Sequence, residues 1–185
     1  MHRHIITISG GPGSGKSSTA NRVSEQLGYR RFSSGDFMRQ IGLERGLTID
    51  EMQTQAERDH SIDHAIDAAI RKTGEQEEIV IDSRIAFHWL PESFKVLLTL
   101  DPHIAAERTF KQIQEQGRMN QNGDSIEEIH KHLLARIESE KKRYKSLYDI
   151  DYPTVSDFDL VIDTATHSLD QVVDLIVEEY RKKTA

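Results

Sequence analysis

The chain reads as an α/β protein, a parallel sheet with helices on both faces. Three observations predict this. Short apolar runs alternate with amphipathic helical stretches along the 185 residues. The first run, Ile5-Ile6-Thr7-Ile8, leads directly into Gly10-Gly11-Pro12-Gly13-Ser14-Gly15-Lys16-Ser17. A helical pattern follows from Ser18 to Leu27, with Val23 and Leu27 four residues apart. Strand, glycine loop and helix in that order form the setting of a phosphate-binding loop.

The elements follow in order. The first strand is predicted over 3–9 and the first helix over 15–27, with Gly28 as its C-terminal glycine. Arg30-Arg31-Phe32-Ser33 reads as a short second strand. Ser34 is expected to cap a helix over 35–44, which Gly46 ends. Thr48 and Glu51 have capping-box spacing, and the stretch 49–73 reads as helical. There Ile62, Ala65, Ile66, Ala69 and Ile70 recur at helical intervals and define one apolar face. The third strand, 78–82, ends on Asp82, and a short turn runs from Arg84 to Trp89. The fourth strand, 94–100, stops at Asp101-Pro102, where the proline starts a helix over 103–116. A polar loop over 117–124 holds the turn dipeptide Asn122-Gly123. The helix over 125–148 carries Ile126, Ile129, Leu133, Leu134 and Ile137 on its apolar face. After the fifth strand, 159–163, a last helix over 168–182 buries Leu169, Val172, Val173, Ile176, Val177 and Tyr180. The whole chain, 1–185, is expected to be one domain. The piece 35–73 is too long for an ordinary crossover and reads as a flap hinged on the sheet.

Composition narrows the function. A net charge of −7, from 24 basic and 31 acidic residues, argues against general nucleic-acid binding. Cysteine is absent, which removes disulfides and thiolate chemistry and suits a reducing cytoplasm. No apolar run is long enough for a signal peptide or a membrane span, so no membrane partner is expected. His60 and His64 stand four apart, but the pattern offers no third ligand for zinc.

The chemistry concentrates at strand C-termini, where open parallel sheets bind ligands. Gly10, Gly11, Pro12, Gly13, Ser14 and Gly15, with Lys16, Ser17 and Ser18, form the ATP-binding stretch. Glycines let backbone N–H groups turn around an anion, and the helix start adds its positive dipole end. Lys16 is expected to reach the β- and γ-phosphates and the Ser17 hydroxyl to ligate Mg²⁺. Asp82 sits where a metal-holding carboxylate follows an apolar strand; the alternative is a cap for the turn after it. Ser33-Ser34-Gly35-Asp36 with Arg39 is either a capped helix with an exposed arginine or a site for an acceptor phosphate. Arg136, Glu140 and Arg143 share one helical face. They are either a surface ladder, as Glu138 with Lys142 reads, or arginines that close over transferring phosphate with Glu140 orienting them.

The combination resembles the cytidylate kinases, in the short form typical of archaea, within the nucleoside monophosphate kinases. The matching pieces are Ile6-Thr7-Ile8-Ser9-Gly10 with its loop, Phe32-Ser33-Ser34-Gly35-Asp36-Phe37-Met38-Arg39, Asp82-Ser83-Arg84, the helix segment from Arg136 to Tyr144, and Phe158-Asp159-Leu160-Val161-Ile162-Asp163-Thr164. The chain departs from the family at Ser83, where a glycine is usual, and at Asp149 in Tyr148-Asp149-Ile150-Asp151, where another is. The resemblance implies a three-layer P-loop kinase fold with a five-stranded parallel sheet, a monophosphate-binding flap over about 35–73 and a lid over about 108–143. It implies ATP with Mg²⁺, CMP or dCMP as acceptor, and a monomer. Arg39 and Arg84 would hold the acceptor phosphate beside Gly35, Asp36 and Glu140, and Arg136 and Arg143 the transferring group. Arg108 would assist, and Thr164-Ala165 would lie near the adenine. Ser34, Asp63 and Arg84 are candidates for reading the acceptor base. UMP, AMP or another small acceptor, or a nucleotide-binding regulator without transfer, are the competing readings.

Overall fold

A computed structural model of the chain describes residues 4–115 and 125–184. Five strands, β1 (Ile5–Gly10), β2 (Arg30–Ser33), β3 (Ile79–Asp82), β4 (Phe94–Thr99) and β5 (Leu160–Asp163), form one parallel sheet in the order β2-β3-β1-β4-β5. The register brings Ser33 and Ile8 opposite Asp82, Gly10 opposite Leu98 and Thr99 opposite Asp163. The functional ends of all five strands therefore share one edge.

Helices α1 (Lys16–Leu27) and α8 (Leu169–Thr184) cover one face of the sheet. Ile6 and Ile8 of β1 point to that side and meet Val23, Val172, Val173, Ile176 and Tyr180. Ile5, Ile79 and Ile81 point the other way, as strand alternation requires. They meet Met52, Ile62, Ile66 and Ile70, from helices α3 (Ile49–Ala56) and α4 (Ser61–Thr73). Leu169 is the exception on α8, being exposed at its start.

Two expectations need correction in the insert between β2 and β3. The cap of helix α2 (Ser34–Arg45) is Ser33, whose hydroxyl accepts from the Asp36 amide at 3.3 Å; Ser34 is the first helical residue. The stretch 49–73 is also two helices, not one. Asp59 Oδ1 accepts from the Ser61 amide at 3.0 Å, and that local bond competes with continuing the helix. The capping box of Thr48 and Glu51 is present as expected. On α4 the buried stripe is Ile62, Ile66 and Ile70, joined by Asp63 and Asp67, while Ala65 is exposed.

Beyond β3, a short helix α5 (Ala86–Trp89) starts after Ile85, so Asp82 caps nothing. Asp101 caps α6 (Pro102–Glu115) through the His103 amide at 2.8 Å. Helix α7 (Ile126–Tyr148) opens with a capping box of Ser125 and Glu128 and packs on α6. Its buried side is Ile129, Glu140, Arg143 and Tyr144, with Leu134 exposed, so charge replaces apolar surface along its second half. The Asn122-Gly123 turn and the end of the helix before it lie outside the described residues.

Ile176 is fully buried between α1 and the sheet. Ile176→Ala should cost roughly 2–5 kcal/mol of stability by leaving a cavity. It should leave activity per folded molecule unchanged, because the site lies at the strand ends; urea unfolding with parallel activity assays checks both.

Candidate active site

The loop between β1 and α1 is built around close contacts. Gly10 has φ 152° and Gly13 has φ 74°. A Cβ on Gly10 would lie 2.4 Å from the Leu98 carbonyl oxygen, and one on Gly13 would lie 2.9 Å from Ala105 Cβ. Both positions are thus closed to other residues by backbone conformation and by space. The Gly10 N–H donates to the Tyr152 hydroxyl at 3.0 Å, and Arg84 Nη1 donates to the Gly10 carbonyl. The first glycine is therefore gripped on both sides.

Lys16 folds over the loop, its Nζ donating to the Gly11 carbonyl at 3.0 Å. Burial, reinforced by the nearby Arg84 cation, pushes the Lys16 amine down to about 7. A phosphate anion arriving there would supply the negative charge the lysine lacks.

Asp82 gathers three donors on one oxygen. Its Oδ2 accepts from Ser17 Oγ at 2.6 Å, Ser33 Oγ at 3.3 Å and Arg31 Nη2 at 3.4 Å. The Ser34 hydroxyl donates to the Asp82 carbonyl at 3.3 Å. The carboxylate thereby joins the glycine loop to β2 and to the start of α2. A serine hydroxyl beside a carboxylate is a donor set that suits a hard cation such as Mg²⁺.

On the far wall stands a triad of charge, with Arg84 and Glu140 buried and Arg136 partly exposed. Glu140 accepts from Arg84 Nε at 2.6 Å and from Arg136 Nε at 3.0 Å. Burial alone would raise the Glu140 carboxyl, but Arg84 and Arg136 outweigh it and hold it down at about 2. Burial likewise works against the Arg84 cation, and Glu140 reverses the effect and raises its affinity for the proton. Arg143 belongs to a different pair. Its Nε lies 2.9 Å from Asp63 Oδ2 without the alignment of a hydrogen bond. The expectation that Glu140 orients both Arg136 and Arg143 is therefore corrected: it pairs with Arg136 and Arg84, and Asp63 on α4 holds Arg143.

A cleft of about 330 Å³ brings these parts together. Pro12, Gly13, Lys16, Ser17 and Asp82 line it next to the glycine loop, with Ser34, Gly35, Arg39, Arg84, Arg136 and Glu140. Asp63, Arg143, Asp67, Ile66 and Met38 line its far end. Several sequence-predicted residues do not line it. Asp36 pairs outside with Arg31 and Arg39. Ser18 is exposed on α1. Thr164 is buried between Arg108, whose Nη2 donates to its carbonyl at 2.7 Å, and the Thr99 carbonyl. Gly10, Gly11, Ser14 and Gly15 shape the loop from behind the cleft wall.

Sequence reasoning missed Asp67 and Tyr152. Asp67 had a visible signal, a second acid four residues after Asp63 inside an apolar stripe. Tyr152 had none, because its contact with Gly10 spans 142 residues.

Comparison with known proteins places this geometry. A family profile described as an AAA domain matches residues 9–130. A cytidylate kinase from Methanothrix thermoacetophila is 40% identical over 160 residues, which cover 86% of this chain and 88% of that protein. The chain belongs to the cytidylate kinase family. A second relative widens the context: an S-adenosylmethionine-dependent nucleotide dehydratase from Lacinutrix mariniflava is 34% identical over 97% of this chain. The chain spans only 36% of that longer protein's length. Among solved structures, a shikimate kinase from Bacteroides thetaiotaomicron has a TM-score of 0.64 at 12% identity. The match covers 98% of this chain and 99% of that one, a likeness of P-loop kinase fold.

Glu140→Ala should destabilise the fold by about 3–5 kcal/mol, because Arg84 is left buried without its partner. The pH dependence has a definite sign. A carboxyl held at about 2 stabilises fully above its usual value of 4.5 and loses that contribution as pH falls toward about 2. Urea midpoints measured between pH 5 and pH 3 should fall for the native chain and fall less for the variant.

Proposed function

We propose that this nucleoside monophosphate kinase transfers the γ-phosphoryl group of ATP to the 5′-phosphate of CMP or dCMP, giving ADP and CDP or dCDP. One observation carries the reading. Lys16, the Ser17–Asp82 pair and the arginines Arg39, Arg84, Arg136 and Arg143 all line one cleft. A protein that only bound a nucleotide would need no cations on the acceptor side. The cytidylate kinase relatives support the choice of a pyrimidine acceptor.

In this scheme the glycine loop cradles the ATP phosphates on backbone amides, and Lys16 offsets their charge. Ser17 and Asp82 would hold Mg²⁺, which neutralises phosphate oxygens when bound. Arg39 and Arg84 seat the acceptor phosphate in line with the donor. Arg84 is fixed by Glu140, so it presents a pre-oriented fork and loses little freedom on binding. Arg136 and Arg143 spread over the oxygens of the transferring group. For Arg143 this requires leaving Asp63, a movement that fits a lid over about 108–143 closing on a flap over about 35–73. Closure expels water and strengthens every charge contact inside. Thr164 lies beside the adenine, with Arg108 anchoring its loop. The proposed partners are small nucleotides alone, and the proposed setting is a monomer in the cytoplasm. No helix among the described residues is long and apolar enough to cross a membrane.

A coupled ADP-release assay with CMP, dCMP, UMP and AMP tests the acceptor directly. CMP or dCMP should give the highest kcat/KM; AMP or UMP doing so would replace the acceptor and keep the chemistry. Absence of turnover with every acceptor would return the chain to the class of nucleotide-binding regulators.

Lys16→Ala should abolish nearly all transfer while the circular dichroism spectrum stays native. Arg143→Ala should lower kcat by roughly 10³-fold, the scale of an arginine acting on the transition state. Arg143→Lys should recover little of it, since a lysine cannot make the forked contact. A loss within about threefold, under 1 kcal/mol at the barrier, would make Arg143 a structural partner of Asp63 only.

A further inference from the structure

The transfer scheme uses Asp82 and Arg39 and leaves Arg31 and Asp36, which stand between them, without a part. Arg31 and Ser33 alternate with Phe32 on β2, so both side chains lie on one face of the sheet. Both reach Asp82, which ends the neighbouring strand β3. The fork of Arg31 is split between two carboxylates. Its Nη2 donates to Asp82 Oδ2 at 3.4 Å, and its Nη1 lies 3.1 Å from Asp36 Oδ2. Its Nε is buried with no hydrogen-bond partner, so among the described residues only the two carboxylates bond the guanidinium. Asp36 is shared in turn. Its other oxygen, Oδ1, accepts from Arg39 one turn along α2. The Arg39 guanidinium lies against the cleft wall at Gly35, where a Cβ would stand 3.6 Å from both terminal nitrogens. Asp82, Arg31, Asp36 and Arg39 thus alternate in sign along one line. The Asp82 end of that line is buried, and the Asp36–Arg39 end is half-exposed.

We infer that Arg31 and Asp36 are positioning residues that couple the cation seat at Asp82 to Arg39, so that a divalent cation on Asp82 tightens acceptor binding. The inference rests on the acceptor reading proposed above and adds a link between its two halves. The physical basis is competition for charge. Arg31 on its own divides its charge between Asp82 and Asp36, and Asp36 keeps a firm hold on Arg39. Like charges at contact distance repel, so Arg31 shifts toward Asp36 once Asp82 serves a divalent cation. Asp36 then receives both arms of the fork, and its hold on Arg39 weakens. Arg39 is released to an acceptor phosphate at lower cost. The converse follows by linkage: an acceptor phosphate that takes Arg39 leaves Asp36 to Arg31 and frees Asp82 for the cation. A half-exposed ion pair shifts an equilibrium by about 1.5- to 5-fold, and the buried end adds to it, so a coupling of about fivefold is expected.

Calorimetry reads the coupling directly. CMP is titrated into the chain saturated with a non-hydrolysable ATP analogue, once with Mg²⁺ and once with EDTA. In the native chain Mg²⁺ should lower the Kd for CMP about fivefold. In Arg31→Met and in Asp36→Asn that factor should fall to about one, because either substitution cuts the line. The two variants should also move the metal in opposite directions, read by Mn²⁺ titration in electron paramagnetic resonance with the analogue bound and CMP absent. Arg31→Met removes a cation that competes for Asp82 and should bind Mn²⁺ about threefold more tightly. Asp36→Asn leaves Arg31 to Asp82 alone and should bind it about threefold more weakly. Should Arg31→Met fold poorly, Asp36→Asn, at a half-exposed side chain, carries both measurements. A purely structural role would weaken metal and CMP together in both variants and would overturn the inference. So would a native Kd for CMP that is indifferent to Mg²⁺, or a coupling that survives either substitution. If the native chain binds no CMP, the acceptor reading fails. The opposite shifts in Mn²⁺ affinity need no acceptor and still decide whether Arg31 is shared between Asp82 and Asp36.

Discussion

The contact between Arg84 and Glu140 sets the spacing of the cleft. Arg84 stands just past β3, donates to the Gly10 carbonyl at the end of β1 and pairs with Glu140 on α7. One side chain thus measures the distance from the glycine loop to α7. Taking such a pair out of water is costly, and the geometry repays it because each partner has several contacts, while two N–H groups of Arg84 are left to face a ligand. Glu140 has Arg136 on its second oxygen, and Arg84 has a carbonyl on its remaining arm. Removal of Glu140 leaves Arg84 in the wall of the site with the Gly10 carbonyl alone, whereas removal of Arg84 leaves Glu140 with Arg136.

Asp82 plays the corresponding part on the other side. Its one oxygen draws Ser17, Ser33 and Arg31 together, so the glycine loop and the start of α2 share an anchor. The two carboxylates differ in kind. Glu140 is saturated by full charges and acts as a fixed strut. Asp82 is met mainly by hydroxyls, weaker partners that a cation can displace.

Local signals explain which parts were legible in the sequence. The alternation of strand and helix, the glycine loop and the capping boxes are written within a few residues, and the structure reproduces them nearly to the residue. Arg136, Glu140 and Arg143 were found because helical spacing alone puts them on one face. What each one touches depends on residues far along the chain, and so the Arg143–Asp63 pair, 80 positions apart, was misassigned to Glu140. The break between α3 and α4 was hidden because Asp59 acts through one side-chain bond that competes with an otherwise continuous helical pattern. Ser33 and Ser34 are chemically alike, and only backbone conformation tells which one caps the helix.

Trp89 is the chain's only tryptophan, and it sits one hydrogen bond from the cleft. Its indole is sandwiched by a cation and a phenol and tied to an acid on the cleft wall. Any change in that acid's surroundings alters the field and the hydrogen bond felt by the excited indole. The protein thus carries an intrinsic fluorophore bonded to a residue of the cleft wall. Emission from the unmodified chain then reports on that wall with no background from a second indole and no added label.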